Sequence, residues 1–462
     1  MSTAVLIMVT LALAACAFVY GRQRAWRVAG DAGGIRALHS LPSHHGTMVA
    51  MWCALPALAI VIGWKIAEPG IISSIVHAEV PASIAQNGER AISLYRNQIE
   101  NQIAGGSAAG IQDPDMQRLG ERLLSVRQTG ATALSALALI AAGLGAALAV
   151  RRISTTFRAR ASVERVVHFF LLSCASIAIL TTLGIVLSVL FEALRFFQQV
   201  GFLEFVTGTR WSPQTAIRAD QIGSSGSFGA VPLFVGTLLI SFIAMLVAVP
   251  FGLFSAIYLA EYATPRVRNV VKPLLEILAG IPTVVYGFFA ALTVAPALRD
   301  FGQSIGLSVS SESALAAGAV MGIMIIPFVS SLSDDVITAV PQSMRDGSYA
   351  LGSTQSETIV KVVIPAALPG IVGGILLAVS RAIGETMIVV MAAGLAARMT
   401  ANPLEAVTTV TVQIVTLLTG DQEFDSAKTL AAFALGLMLF VVTLVLNVIA
   451  LQVVRRYREQ YE

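Results

Sequence analysis

Charged residues are scarce in this 462-residue sequence, where Asp, Glu, Lys and Arg make up 12% against roughly 25% in soluble domains. Hydrophobic residues reach 56%, and several apolar runs exceed the roughly 20 residues that cross a bilayer as a helix. This composition excludes an ordinary soluble protein. It predicts an all-α polytopic membrane protein whose surroundings are the lipid bilayer, with no nucleic acid among its partners.

Cysteine and histidine are also rare, with three and five residues respectively. The three cysteines, Cys16, Cys53 and Cys174, fall in apolar runs, which favours buried small hydrophobic residues over a disulfide. The histidines are scattered without partnering cysteine or carboxylate spacing, so no metal site is predicted. Residues 13–16 resemble a lipoprotein cleavage box, but the first three residues lack the positive charge that begins a secretory signal. We therefore expect a retained helix, and the sequence leaves open whether Cys16 is lipidated.

Three catalytic signatures are absent. The sequence contains no G-x-x-x-x-G-K-[ST] phosphate-binding loop, so the chain itself is not expected to bind ATP. It also contains no G-x-S-x-G and no H-E-x-x-H motif. The sequence therefore predicts a protein that is not an enzyme and binds no cofactor. If ATP drives its activity, a separate subunit must supply the nucleotide site.

The apolar runs predict nine membrane spans. They lie at about 3–20, 47–67, 130–150, 167–193, 232–257, 276–297, 313–333, 367–394 and 429–453. Lys and Arg crowd alternate connecting segments, such as 151–166, as the positive-inside rule requires of cytoplasmic loops. This alternation predicts a multi-pass protein of the bacterial cytoplasmic membrane, with its N-terminus outside and its C-terminus in the cytoplasm. Residues 194–231, rich in Gly, Ser and Thr, predict an ordered external loop.

A composition shift near residue 160 predicts two regions. Residues 1–160 would hold three Ala-rich spans and a soluble external insert at 68–129, while residues 161–462 would hold six spans joined by short loops. Within the insert, 84–103 and 116–126 have the periodicity of amphipathic helices. They predict a small helical hairpin lying on the membrane, for which the sequence indicates no role.

A polar cytoplasmic loop connects the seventh and eighth runs. Ser343 would cap a short helix over 343–352, and Gly352 would end it. Ser353 would cap the next helix, and Pro365 would stand at the beginning of the next span, where a missing amide donor is tolerated. A soluble partner could bind a short helix held at the membrane surface and, by moving it, move the flanking spans. An ordinary interfacial loop is the alternative.

Two further features interrupt or border apolar runs. Gly280 and Pro282 divide the sixth run, which predicts an interfacial helix over 271–279 and a span that begins at Pro282. A structural kink and a break that lines a cavity are both compatible with this pattern. Asp334 and Asp335 follow the seventh run, and they predict a surface cap rather than a gate.

The eighth run carries two opposite charges, Arg381 and Glu385. Their i, i+4 spacing places them on one face of a continuous helix. A charge at mid-span costs at least about 2.5–3.5 kcal/mol, so it normally pairs or faces a cavity. One interpretation is an ion pair that fixes helix packing. The other places Arg381 on a translocation path, oriented by Glu385, because a guanidinium donates two parallel hydrogen bonds to a phosphate group.

The polar loop resembles the coupling-loop signature of bacterial ABC importer permeases, with Asp346-Gly347-Ser348, Gly352 and Ile364-Pro365 at the matching positions. Asp stands where the family has Glu, and Gly-Ser stands where it has Ala-Ala, so a weaker helix is expected. Four further stretches are similar to the PstC-type permease subunit of the high-affinity phosphate importer, namely 202–213, 260–262, 278–288 and 381–387. The resemblance spans roughly 165–455 and leaves the first 160 residues unassigned.

This resemblance implies the six-span core of a type I ABC importer permease, with about three extra N-terminal spans. It implies a phosphate permease subunit that forms half the translocation path, with Arg381 and Glu385 on that path. An ABC ATPase dimer, through which ATP would act, a second permease subunit and an external phosphate-binding protein would complete the complex. The residues implied in ATPase coupling are Arg345, Asp346, Gly347, Ser348, Gly352 and Glu357.

Two alternatives remain open. An ion-coupled secondary transporter of an oxyanion would use Arg381 and Glu385 as a self-contained site, although such transporters usually show internal repeats and none is visible here. A non-transporting protein would use its first 160 residues as a membrane sensor or assembly subunit. One arginine would serve any oxyanion, so the residues alone distinguish neither phosphate from other oxyanions nor the identity of a second permease.

Overall fold

The computed structural model describes residues 2–81, 84, 86, 88–103, 108, 113–215, 225–419 and 426–457. The chain divides into two compact units, Met1–Ile179 and Leu180–Glu462. The division falls inside one long helix, Ala159–Gln199, which begins at the predicted boundary near residue 160. The composition changes where this helix begins, whereas the two units separate in its middle.

The first unit is helical, and its helices follow the three apolar runs and the insert between them. They are α1 (Thr3–Asp31), α2 (Pro42–Glu79), α3 (Glu89–Gln102) and α4 (Pro114–Arg151), with a 3₁₀ turn at Ile35–Ala37, and α5 (Ala159–Gln199) begins in this unit. Helices α1, α2 and α4 pack around Leu6, Ala57 and Leu134. Gly145 of α4 permits a close approach, because a Cβ there would clash with the backbone carbonyl of Trp52.

The insert does not fold as a separate hairpin, which corrects the prediction. Helices α2 and α4 each run for 38 residues, about 57 Å at 1.5 Å per residue, so they extend beyond a hydrocarbon core of roughly 30 Å. Helix α3 packs on these extensions around Ile72, Tyr95, Ile99 and Leu123. Periodicity identifies the amphipathic segment 116–126, but it does not reveal that this segment continues into a span.

The second unit, Leu180–Glu462, holds most of the larger predicted region, 161–462. Its helices are α6 (Phe202–Thr207), α7 (Val231–Ile257), α8 (Pro265–Ala279), α9 (Thr283–Phe289), α10 (Ala295–Ser304), α11 (Ala314–Thr338), α12 (Gln342–Ala350), α13 (Gln355–Thr358), α14 (Ile364–Ile383), α15 (Met387–Ala392), α16 (Val410–Leu418) and α17 (Ala427–Tyr457). Three π-helical turns extend α7 and join α9 to α10 and α13 to α14. They lie at Tyr258–Tyr262, Ala290–Val294 and Ile359–Val363.

Nine helices in the described part of the chain are long and apolar enough to cross a membrane, which confirms the predicted number. Large apolar side chains such as Phe169, Leu246 and Leu292 remain exposed on them, as expected of helices that face lipid. Cys16 and Cys174 are exposed as well, so the predicted burial holds only for Cys53. Hydropathy identifies a span but does not show which face of the span meets lipid.

The predicted ordered loop at 194–231 contains regular structure. Strands β1 (Trp211–Thr215) and β2 (Ser225–Phe228) form a two-stranded antiparallel hairpin, and residues 216–224 between them lie outside the described part. The Trp211 ring packs edge-on against Phe228, and its indole N–H donates to the Gln413 side chain at 2.9 Å. This bond fixes the hairpin to α16.

Helices α7 and α11 form the centre of the second unit and pack extensively on each other. Ile240, Ile243 and Met321 are buried in their shared core. Gly322 allows the two backbones to approach, since a Cβ there would lie 2.7 Å from the carbonyl oxygen of Ala244. Helix α14 packs on both helices, so this core positions the segments that carry the candidate site.

Candidate functional site

The polar loop contains a short helix, α12, between the spans α11 and α13–α14. It begins after Pro341, whose position at the helix start means that Ser343 does not cap it, contrary to the prediction. Gly352 does terminate this segment, because its φ of +84° is a left-handed conformation. The Ser353 N–H donates to the Ser348 carbonyl at 3.2 Å, the pattern of a glycine-terminated helix.

Arg345 points into the protein, and its side chain is 10% exposed. Its Nη2 and Nε donate to Glu261 Oε1 at 2.9 and 3.3 Å, and the Glu261 side chain is 7% exposed. The carbonyls of Ile337 and Val340 accept further hydrogen bonds from the same guanidinium. Arg345 therefore makes its bonds within the chain, because one face of α12 packs on the protein, and its part in ATPase coupling stays a prediction. Arg345 ties α12 to the π-helical turn at the end of α7.

Ser348 and Glu357, two other predicted contact residues, also make bonds within the chain. The Ser348 hydroxyl is buried 2.8 Å from that of Thr358, so it faces the protein rather than a partner. Glu357 is exposed, and with Thr354 it forms a capping box: the Thr354 hydroxyl accepts from the Glu357 N–H, and the Glu357 carboxylate accepts from the Thr354 N–H. Thr354 rather than Ser353 therefore caps the next helix.

The outer face of α12 and its last turn is exposed. It holds Asp346, Gly347 and Gly352, the remaining residues of the predicted contact. Two apolar side chains share this surface, Tyr349 at 40% exposure and Leu351 at 89%. The sequence-based prediction missed both. An apolar residue directly before a helix-ending glycine, in a polar loop outside any span, was the available signal.

Asp334 is not a surface cap, because its side chain is only 2% exposed. Its carboxylate accepts hydrogen bonds from Arg268 Nη2 at 3.0 Å and from Lys272 Nζ at 2.7 Å, which ties α8 to α11. The hydrogen bond to Asp334 raises the pKa of Lys272, so this lysine stays charged at physiological pH. Asp335 is exposed, 3.6 Å from the same lysine. In the part of the chain that the structure describes, no cluster of three or more His, Cys, Asp or Glu side chains is placed to hold a metal ion.

The helix that carries Arg381 is broken. Helix α14 ends at Ile383 and α15 begins at Met387, so Glu385 lies in the break between them. The two charges therefore do not share a face of one continuous helix, which corrects the prediction from their spacing. The Glu385 carbonyl accepts a hydrogen bond from the Thr411 hydroxyl of α16 at 2.9 Å. This bond satisfies a backbone group that the break leaves without a helical partner.

Arg381 is exposed in the isolated chain. Its guanidinium carbon lies 5.3 Å from the ring centre of Phe328, a cation–π contact. Among the described residues it forms no ion pair, with Glu385 or with any other carboxylate. The ion pair that the spacing suggested is thus not formed, and the guanidinium keeps donors available for an anion.

The break predicted at Gly280 and Pro282 separates α8 from α9. The Tyr286 hydroxyl reaches back across it and donates to the Leu278 carbonyl at 2.8 Å. Pro365 stands in the first turn of α14, as predicted, and α14 follows directly on the π-helical turn Ile359–Val363 within the longer helical element Gln355–Ile383. The altered hydrogen bonding of a π-helical turn accommodates a residue without an amide donor.

Both parts of the chain are similar to known protein families. A family model described as "Phosphate ATP-binding cassette transporter" matches residues 7–181. A second, described as "Binding-protein-dependent transport system inner membrane component", matches residues 248–459. The first match covers most of the region that the sequence resemblance leaves unassigned.

Curated relatives match the larger part of the chain. A probable ABC transporter permease, YqgH of Bacillus subtilis, is 32% identical over 273 residues, which are 59% of this chain and 84% of the relative. The phosphate transport system permease PstC 1 of Mycobacterium bovis is 34% identical over 279 residues, 55% of this chain and 82% of the relative. PstC of Mesorhizobium japonicum is 31% identical over 310 residues, 64% of this chain and 91% of the relative.

Proposed function

Because the chain belongs to the PstC family of ABC transporter permeases, we propose that it is one permease subunit of an ATP-driven importer of inorganic phosphate. The observation that carries this proposal is the helical element Gln355–Ile383, which runs for 29 residues without a break. Its first turn is joined to α12, and its last turn holds the exposed guanidinium of Arg381. One continuous helical element thus links a surface helix to an anion-binding side chain.

Helix α12 is held to two spans, so its movement would be passed to both. The bond between Ser348 and Thr358 joins it to the beginning of Gln355–Ile383, and the ion pair between Arg345 and Glu261 joins it to the end of α7. Gln355 strengthens the junction by donating to the Glu261 carbonyl at 2.6 Å. A partner that pushes the exposed face of α12 would therefore move these spans together.

Arg381 provides the chemistry for a transient phosphate contact. Its planar guanidinium stays charged at any working pH and matches two phosphate oxygens at once. A single arginine is a weak site, and weak binding suits a path that must release its substrate. Glu385 lies four residues further on, in the break, where it adds negative charge near the path and limits the time that an anion remains bound.

The remaining parts of the complex are assigned by the same proposal. An ABC ATPase dimer binds and hydrolyses ATP and docks on Asp346, Gly347 and Leu351, which are exposed. A second permease subunit completes the path, and an external binding protein delivers phosphate. The N-terminus lies outside and the C-terminus lies in the cytoplasm, in agreement with the arginine-rich segment 151–166.

Phosphate uptake by proteoliposomes tests this function. The vesicles would contain this chain, its partner permease, the ATPase and the binding protein, with ATP or a proton gradient supplied separately. We expect uptake with ATP and none with the proton gradient alone. Uptake by this chain alone, driven by protons without ATP, would instead establish a secondary transporter.

A further inference from the structure

A charged cavity of about 500 Å³ lies in the first unit, where α2, α3 and α4 meet. Its charged lining residues are Lys65, Glu68, Arg96, Glu100 and Arg127. The volume falls within the range of about 300–1,000 Å³ that is typical of small-molecule sites. The transport mechanism proposed above makes no use of this cavity.

The lining carries three cations and two carboxylates, so it holds an excess of positive charge. Lys65 and Glu68 form a close pair, with Nζ 2.7 Å from Oε2. Both arginines instead share one oxygen of Glu100, which lies 4.0 Å from Arg96 Nε and 3.6 Å from Arg127 Nη2. Both distances exceed those of an ordinary hydrogen bond. The Glu100 carboxylate therefore lies near both guanidinium groups but accepts an ordinary hydrogen bond from neither.

Arg96 has an unsatisfied donor in this cavity. Its side chain is 37% exposed as a whole, but its Nε atom is buried and finds no acceptor among the described residues. Buried donors in proteins are almost always hydrogen-bonded, and each exception requires an explanation. A group with several anionic oxygens would accept from Arg96 and Arg127 together, as phosphate groups do from arginine pairs.

The ends of the predicted apolar runs place this cavity close to the lipid headgroups. Helices α2 and α4 continue beyond the apolar runs predicted at 47–67 and 130–150, and Lys65 and Arg127 stand close to the ends of those runs. The orientation proposed above places this end of the two helices on the external side of the membrane. Phosphate groups of two kinds are present there, inorganic phosphate in solution and the headgroups of phospholipids.

We propose that this cavity binds a phosphate group through Arg96 and Arg127, with Lys65 as a third cation. Glu100 competes with the ligand for the two arginines and limits its affinity. The residues of this site differ from Arg381 and Glu385, the residues proposed for the translocation path. Free phosphate and a phospholipid headgroup offer the same oxygens, so binding experiments have to separate these two sources.

The test uses the full chain, purified with its partner permease and ATPase but without the binding protein. Every protein in this test carries Arg381→Gln, so that the proposed translocation path does not contribute to the measured phosphate binding. Binding of radiolabelled inorganic phosphate is measured by equilibrium dialysis of delipidated complex. Native mass spectrometry of complex released from phosphatidylglycerol nanodiscs counts retained lipid. Phosphate binding without lipid retention identifies the free anion as the ligand. Lipid retention without phosphate binding identifies the phospholipid headgroup. Either result supports the proposal if the variants respond as described next.

Arg96→Gln with Arg127→Gln should weaken binding of the retained probe by about tenfold or more, since two charge-assisted hydrogen bonds are lost. Arg118→Gln is the matched control, because Arg118 is an exposed arginine of α4 outside the cavity, and it should leave binding unchanged. Glu100→Gln should tighten binding severalfold, a gain that a misfolded variant would not produce. The proposal is overturned if neither probe binds, or if binding is the same in all four proteins.

Discussion

Arg345 and Asp346 are neighbours in α12, but the first side chain is buried and the second is exposed. Arg345 is buried in an ion pair with Glu261, whereas Asp346 is exposed and accepts a hydrogen bond from Gln342 at 3.1 Å. The basic residue therefore fixes the helix to its own chain, and the acidic residue remains available to a partner. Substitutions at these two positions should consequently affect different properties, stability at the first and association at the second.

Replacing Arg345 with alanine should destabilise the chain by about 3–5 kcal/mol, because it leaves the carboxylate of Glu261 buried without its cation. Denaturant unfolding in detergent micelles measures this loss. Arg299→Ala is the matched control, since Arg299 is 39% exposed beside Asp300, and exposed ion pairs contribute about 0–1 kcal/mol. Adding Glu261→Gln to Arg345→Ala should recover part of the loss. Equal destabilisation by the two alanine variants would contradict the assigned role of the buried pair.

The elements of this fold differ in how far the sequence predicts them. The spans are predictable because each is a local apolar run. The end of α12 at Gly352 is predictable because it depends on the residue type at one position. Helix starts were misassigned by a residue or two, since Ser353 and Thr354 are both capable caps and only the surrounding geometry selects one. The break at Glu385 is not predictable from the local sequence. The hydroxyl that donates to the free Glu385 carbonyl belongs to Thr411, which lies 26 positions later in the chain.

The two glycines of the α12 region allow a paired test of that helix. Gly352→Ala should destabilise its end by about 1–2 kcal/mol, because a Cβ disfavours the left-handed conformation. Gly347→Ala should stabilise the helix by about 0.5–1 kcal/mol, since Gly347 is an interior position and no atom lies within 4 Å of the added Cβ. Hydrogen exchange of the 342–352 amides should accelerate in the first variant and slow in the second. A shift of the same sign in both would contradict the geometry described for α12.

The exposed face of α12 should be the docking surface for the ATPase, with Leu351 as its apolar anchor. Leu351→Ser should weaken co-purification of the ATPase by tenfold or more, the loss of about 1.4 kcal/mol or more that follows when an anchor is truncated. Leu307→Ser provides the control, because Leu307 is 47% exposed in the loop between α10 and α11. Retention of the ATPase by Leu351→Ser would place the contact elsewhere.

At the scale of the whole molecule, the two regions were predicted unequally. The six-span region carries motifs that resemble a known family, and its relatives support that assignment. The first 160 residues carry only apolar runs and amphipathic periodicity, so their match to a phosphate transporter family was not apparent from their residues. Their long helices form a membrane unit with its own core, and its charged cavity arises only when three helices meet.

The proposed orientation predicts which loops are accessible from each side. In a chain whose native cysteines are replaced, Ser343→Cys should react with a membrane-impermeant maleimide only from the cytoplasm, and Ser308→Cys only from outside. Both positions are exposed, so burial does not limit the reaction. Labelling of Ser343→Cys in intact, unpermeabilised cells would show that the orientation is the reverse of the one proposed.

The most direct measurement of the central claim compares phosphate uptake with ATP hydrolysis in the same proteoliposomes, for the native complex and for Arg381→Gln. The account predicts that the variant assembles and hydrolyses ATP at a rate within about twofold of the native rate, while uptake falls at least tenfold, because the anion contact is removed and the bonds that hold α12 are unchanged. Arg381→Lys should retain part of the uptake, since it keeps the charge but loses the planar donor pair. Uptake by Arg381→Gln at the native rate would contradict the placement of Arg381 on the phosphate path.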